Sequence, residues 1–342
     1  MSDISVRIQG RAGRITLQRP KALNAVTYDM VKAIGTALDD WRTDEAVALV
    51  VIDAEGDKAF SAGGDIADLY ATGTAGDFGF GQTFWRDEYR MNAKIAEYEK
   101  PIVSFLQGFT MGGGMGVGCH GSHRIVGETS QIAMPEVGIG LVPDVGGSMI
   151  LANAPGHLGA YLGTTGARMG PADAILAGFA DMFIPQAHWA GLIAELEETG
   201  STSCLADRVE TAPQGRMQAL LAEIDTHFAA AELPAVLASL RGTDSEFAAD
   251  TLKALGRNSP LSVACTLEMM RRLKGNTDIR AALALEYRYT FRAMEHGDFL
   301  EGIRAAIIDK DRNPNWRHSL DDLPAGAVHD MLAPLGDNEL TF

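Results

Sequence analysis

Ala46-Val-Ala-Leu-Val-Val-Ile-Asp53 is a continuous apolar run closed by an acid, the pattern of a strand buried on both faces. Ile102 to Leu106 repeats it after Pro101, and Arg124 to Val126 does so more briefly. Ser5 to Gln9 and Ile15 to Arg19 alternate apolar and polar residues around Gly13, which reads as a β-hairpin. Between these runs, Thr27 to Trp41 and Gly81 to Tyr98 carry helical spacing. Strands alternating with helices through residue 185 imply an α/β domain. From about residue 200 the β-type runs stop. Ser259-Pro260 supplies an N-cap with proline at the first helical position, Val263, Leu267 and Met270 recur at helical spacing, and a long helix is expected from Asp278 to Glu295, stopped by Gly297. The expected organisation is a core over residues 1–200 and a helical subdomain over 201–342.

The 342 residues carry a formal net charge of −16, which argues against nucleic acid or an anionic membrane as partner. A local group of basic side chains and helix amides could still hold a small anionic ligand. Cys119, Cys204 and Cys265 are too few and too scattered for a disulfide framework or a metal site, and reduced thiols fit a cytoplasmic setting. The N-terminus lacks a basic and apolar leader, and no stretch reaches the roughly 18 apolar residues that span a bilayer.

Three segments carry the chemistry. In Lys58-Ala-Phe-Ser-Ala-Gly-Gly-Asp-Ile66 two glycines follow an apolar strand. The bland reading is a turn with Asp65 capping a helix; the functional one has the Gly64 amide donating into a pocket. Gln107-Gly-Phe-Thr-Met-Gly-Gly-Gly-Met-Gly-Val-Gly-Cys119 concentrates glycine where a free helix would lose roughly 1 kcal/mol at each, tolerable where something must approach the backbone. Two such amide sources in one chain form an oxyanion hole for acyl transfer. In Met134-Pro-Glu-Val-Gly-Ile-Gly-Leu-Val-Pro-Asp-Val-Gly-Gly147, the acids Glu136 and Asp144 sit among apolar residues and glycine. Carboxylates in such surroundings tend to be paired or used. For Asp144 the bland alternative is an N-cap on a helix starting near Gly147.

At these residues the chain resembles the crotonase (enoyl-CoA hydratase/isomerase) superfamily. Arg19-Pro-Lys-Ala-Leu-Asn-Ala25 is similar to its CoA-binding turn, Ala62-Gly-Gly-Asp-Ile66 to its first oxyanion loop and Gly112-Gly-Gly114 to its second. The resemblance implies a crotonase-like ββα spiral core, with the amides of Gly64 and Gly113 on a thioester oxygen and the CoA near Lys21, Ala22, Ala62, Asp65 and Ile66. Hydratases of the superfamily carry a second glutamate shortly after the triple glycine, and Gly116 stands there. Pro143-Asp-Val-Gly-Gly147 and Phe84-Trp-Arg-Asp-Glu88-Tyr are instead similar to 3-hydroxyisobutyryl-CoA hydrolases, as are Glu286-Tyr-Arg288 and Gly297-Asp-Phe-Leu-Glu-Gly302.

That likeness implies hydrolysis of a short 3-hydroxyacyl-CoA in valine catabolism. Glu136 would attack the carbonyl or serve as base toward water, Asp144 would orient the 3-hydroxyl and the water, and Glu88 would meet the acyl end. It implies no metal and no cofactor beyond the CoA of the substrate. An isomerase or hydratase of the same fold is the alternative. Crotonase relatives often assemble as trimers, which leaves a homo-oligomer open.

Overall fold

The computed structural model describes residues 2–230 and 232–342. By its internal contacts the chain forms two compact units: residues 1–65, 87–133 and 168–216 in the first, and 66–86, 134–167 and 217–342 in the second. A single cut at residue 200 does not reproduce this division. The stretch 134–167, with both acids of the Pro-Glu and Pro-Asp motifs, groups with the C-terminal helices.

All nine strands found among the described residues belong to the first unit: β1 (Ile4–Gln9), β2 (Ala12–Leu17), β3 (Leu49–Ala54), β4 (Ala59–Ser61), β5 (Ile102–Leu106), β6 (Phe109–Met111), β7 (His123–Val126), β8 (Gln131–Ala133) and β9 (Met182–Phe183). Six form one sheet in the order β1-β2-β3-β5-β7-β9, and β4-β6-β8 form a second. Apart from the β1–β2 hairpin every pairing is parallel. Parallel strands need crossovers, which accounts for the helices between them.

The expected hairpin forms, with its turn at Gly10 (φ +57°). Gly13 lies inside β2, where an added Cβ would meet the Trp41 ring at 2.4 Å; that glycine makes room for packing. The Ala46 run becomes strand only from Leu49, with Ala46 to Ala48 in the approach. Leu49 and Val51 join Val103, Phe105, Ile125, Trp189, Leu192 and Leu196 in one buried cluster, so the helix Trp189–Thr199 packs on the sheet. Arg14, buried in β2, is held by Asp53 at 2.5 Å and by Glu197, as a buried charge requires.

The second unit is helical. Pro260–Leu273 starts where Ser259 Oγ accepts from the Ser262 amide at 3.2 Å, and it packs against Gly147–Asn153 and Leu158–Thr165. Ile279–Ala293 is capped by the Asp278 side chain, close to the expected bounds. Among the described residues no helix is long and apolar enough to cross a membrane.

Candidate active site

In the first unit, β4 and β6 run parallel side by side, so the loops that leave their C-terminal ends emerge together. Gly64 follows β4 and Gly113 follows β6. A Cβ built on Gly113 would lie 3.2 Å from the Gly64 nitrogen and 2.8 Å from Glu88 Oε1. The structure therefore brings Gly64, Gly113 and Glu88 together. Glu88 is buried, at 3% exposure.

The direction of the Gly64 amide follows from its neighbours. Val26 N–H donates to Gly63 O at 2.9 Å, and Asp65 N–H donates to Val26 O at 2.8 Å. This parallel bridge uses the groups on either side of Gly64 and turns its own N–H the other way. Gly113 is the first residue of the helix Gly113–Gly118, so its N–H has no carbonyl within that helix. The other glycines there serve packing: a Cβ on Gly114 would meet Ser61 O at 2.6 Å, and one on Gly118 would meet Leu106 at 2.6 Å. Gly116 is buried and adds no acid.

The Arg19–Ala25 turn is bound to the same loop. Ala62 N–H donates to Leu23 O at 2.9 Å, and Arg19 Nη2 meets Asp65 Oδ2 at 3.0 Å. The helix Ala67–Thr74 follows, with Ile66 at its N-cap position, and Asp65, next to that start, pairs with Arg19. Leu23 and Asn24 have φ of +50° and +55°, and Asn24 Nδ2 fastens the turn to Glu55 O and Ala59 O, both at 2.9 Å. A cavity of about 270 Å³ beside this turn is lined by Lys21 and Lys58 among others. Lys21, Ala22, Ala62 and Asp65 thus lie on one tied pair of loops, and Ile66, the next residue, is assigned to the second unit.

In the second unit, Glu136 opens the short turn Glu136–Ile139 after Pro135. Glu136 and Asp144 are buried, at 5% and 4% exposure. Burial and the Asp144 charge push the Glu136 carboxyl well above its ordinary range, against its own backbone hydrogen bond, and Glu286 adds to the rise. Glu136 Oε2 has no hydrogen-bond partner among the described residues. A buried carboxyl with one oxygen unclaimed is costly, and such a group is a candidate for chemistry.

Asp144 precedes Val145 and Gly146, both left-handed at φ +52° and +82°. For a β-branched residue that conformation costs roughly 1–2 kcal/mol. Gly146 occupies the N-cap of Gly147–Asn153, and the amides of Gly146 and Ser148 are taken by Glu286 at 2.8 and 3.2 Å. The cap reading of Asp144 gives way to Glu286, a residue that the sequence patterns assigned no role. Its signal was present: Ile279, Ala282, Leu283, Tyr289, Thr290 and Ala293 mark a buried helical stripe, and Glu286 is the acid on it. Burial, with the Asp144 charge, raises its carboxyl to about 8 against the lowering effect of its donors.

Burial pushes the Cys119 thiol up to about 12 and raises Cys265 as well, so neither is a ready nucleophile. A cavity of about 320 Å³ near Leu151, Phe228 and Met270 has no carboxylate in its lining.

Parallel crossovers, a glycine-built pair of outward amides and buried acids define a fold of acyl-CoA enzymes, and the chain belongs to the enoyl-CoA hydratase/isomerase (crotonase) family, whose model matches residues 12–332. A relative from Rattus norvegicus, "3-hydroxyisobutyryl-CoA hydrolase, mitochondrial", is 37% identical over 100% of this chain and 91% of its own. A solved structure described as an enoyl-CoA hydratase from Rhodobacter sphaeroides is 58% identical with a TM-score of 0.95 over the full length of both chains. Another, described as a carnitinyl-CoA dehydratase from Mycobacterium thermoresistibile, is 36% identical with a TM-score of 0.95, covering 100% of this chain and 99% of its own.

Proposed function

We propose that the protein hydrolyses a short 3-hydroxyacyl-CoA thioester, with 3-hydroxyisobutyryl-CoA the preferred substrate and 3-hydroxyisobutyrate and CoA the products, a step of valine catabolism. The observation that carries this reading is the buried Glu136–Asp144 pair, in which one acid raises the other, taken with glycine and not an acid at position 116. Full-length similarity to the rat hydrolase supports the same substrate.

In the proposed mechanism the Gly64 and Gly113 amides donate to the thioester oxygen as it gains charge. Lys21, Ala22, Ala62, Asp65 and Ile66 receive the CoA, and Glu88 meets the acyl end. The ionised Glu136 either attacks the carbonyl carbon, forming an anhydride as the C–S bond breaks, or removes a proton from the water that attacks. In the first route water then cleaves the anhydride, freeing the product acid and restoring Glu136; in the second it adds directly to the thioester carbonyl as the C–S bond breaks. Either way the proton that water gives up balances the one taken by the leaving thiolate, and Asp144 orients the substrate hydroxyl and that water.

A second reading is water addition to an enoyl-CoA, which the description of the 58% identical Rhodobacter sphaeroides structure favours. Gly116 opposes it, since it provides no second glutamate after the triple glycine. Incubation with 3-hydroxyisobutyryl-CoA and with crotonyl-CoA separates the two. Release of free thiol from the first supports hydrolysis. Loss of enoyl absorbance from the second, without thiol release from either, would replace hydrolysis with hydration.

A further inference from the structure

The helix Ile279–Ala293 lies far in sequence from every motif that carries the chemistry, yet it reaches the turns of both acids. Glu286 Oε2 accepts from the Gly146 amide at 2.8 Å, and its Oε1 accepts from the Ser148 amide at 3.2 Å and from Ser148 Oγ. The turn it grips contains Val145 at φ +52°, a conformation that persists only where surrounding groups over-determine it. One helical turn on, Tyr289 Oη donates to Gly140 O at 3.2 Å and pairs with Ser262 Oγ at 2.8 Å. Gly140 closes the short turn that Glu136 opens. Positions three apart share one helix face, so a single face spans the segment from Glu136 to Ser148. Glu286 is fully buried, and such a group is retained at a cost unless it has a task.

Resting on the hydrolase reading above, we propose that Glu286 is a positioning residue for the reaction: by holding the Val145–Ser148 turn it fixes the Asp144 carboxylate relative to Glu136, with Tyr289 bracing the Glu136 turn from the same face. It acts through Asp144 and needs no contact with substrate.

The test compares the full-length protein with Glu286→Gln, Glu286→Ala and Tyr289→Phe. Glu286→Gln keeps one acceptor oxygen and the side-chain volume. The expected result with 3-hydroxyisobutyryl-CoA is a kcat lowered at least tenfold in Glu286→Gln and further in Glu286→Ala. KM should stay within threefold, measured well below each melting temperature. Tyr289→Phe should lose less. A kcat within twofold of wild type in folded Glu286→Ala overturns the proposal, as does a loss wholly in KM. A crystal structure of Glu286→Ala gives a readout independent of substrate: Val145 and Gly146 should leave the left-handed region and Asp144 should shift, and an unmoved turn overturns it. Wild-type protein that releases no thiol counts against the hydrolase reading alone.

Discussion

Replacing Gly113 with alanine adds one methyl group in front of the Gly64 amide. The new Cβ would stand 3.2 Å from the Gly64 nitrogen and 2.8 Å from Glu88 Oε1. The first contact is with backbone, and the second is with the carboxyl end of the buried Glu88 side chain. Gly113 also begins a helix, where alanine is favoured over glycine by up to about 1 kcal/mol, so the fold should tolerate the change. Catalysis should not, because loss of one oxyanion donor removes ~2.7–4 kcal/mol of transition-state stabilisation, a 10²- to 10³-fold fall in kcat. The adjacent Gly114→Ala provides the contrast. Its Cβ would meet Ser61 Cβ, O and Oγ at 2.5, 2.6 and 2.7 Å, and overpacking against backbone typically costs 1–3 kcal/mol. Thiol release from 3-hydroxyisobutyryl-CoA and a thermal melt, run on both variants, read the two effects separately. Gly113→Ala should melt within a few degrees of wild type and be nearly inactive, whereas Gly114→Ala should lose several degrees. If folded Gly113→Ala kept a fifth or more of wild-type kcat, the Gly64–Gly113 amide pair would not be the oxyanion hole.

Glu136→Gln should abolish thiol release while isothermal titration still detects CoA-ester binding; activity within tenfold of wild type would remove Glu136 from the mechanism. Glu136 must be ionised to act and its carboxyl is raised well above its ordinary range, so kcat/KM should climb with pH above the usual carboxylate range. Asp144→Asn removes a charge that raises it, so the residual activity should show this acid limb at lower pH; a limb that stays in place would deny the coupling. Glu286 makes stability itself pH-dependent. Its carboxyl is raised from 4.5 unfolded to about 8 folded, so its contribution is complete below the lower value and is lost as pH rises through the higher. The full span is worth at most about 5 kcal/mol. Melting temperature should fall between pH 5 and 8, and Glu286→Gln should flatten that slope.

Much of the fold was legible because buried parallel strands are nearly unbroken apolar runs, as in Ile102–Leu106, and because caps such as Ser259 and Asp278 are local signals. Gly13 is ambiguous because glycine has two physical uses: the alternation around it suggests a turn, while the structure uses it to admit the Trp41 ring and turns at Gly10. The Asp144 cap reading failed for a related reason. Spacing shows that a helix start needs an acceptor, but it does not show that the acceptor comes from Glu286, 140 positions away. The same non-locality hid the grouping of residues 134–167 with 217–342. The two glycine loops were readable as amide sources, yet their adjacency depends on the β4–β6 pairing, which no local pattern records.

That separation of 140 positions between Gly146 and its clamp also has a meaning in time. At a synthesis rate of about 5–20 residues per second, the turn that carries Asp144 leaves the ribosome on the order of 10 s before the helix that holds it. The six-stranded sheet, complete by Phe183, can form in that interval, while the turn at Val145, closed by the Gly147 N–H donating to Asp144 O at 2.7 Å, still lacks the two amide contacts to Glu286. On the role proposed for Glu286, competence for the reaction arrives near the end of translation: a chain released before residue 286 would carry all the proposed catalytic side chains without the carboxylate that grips the Asp144 turn.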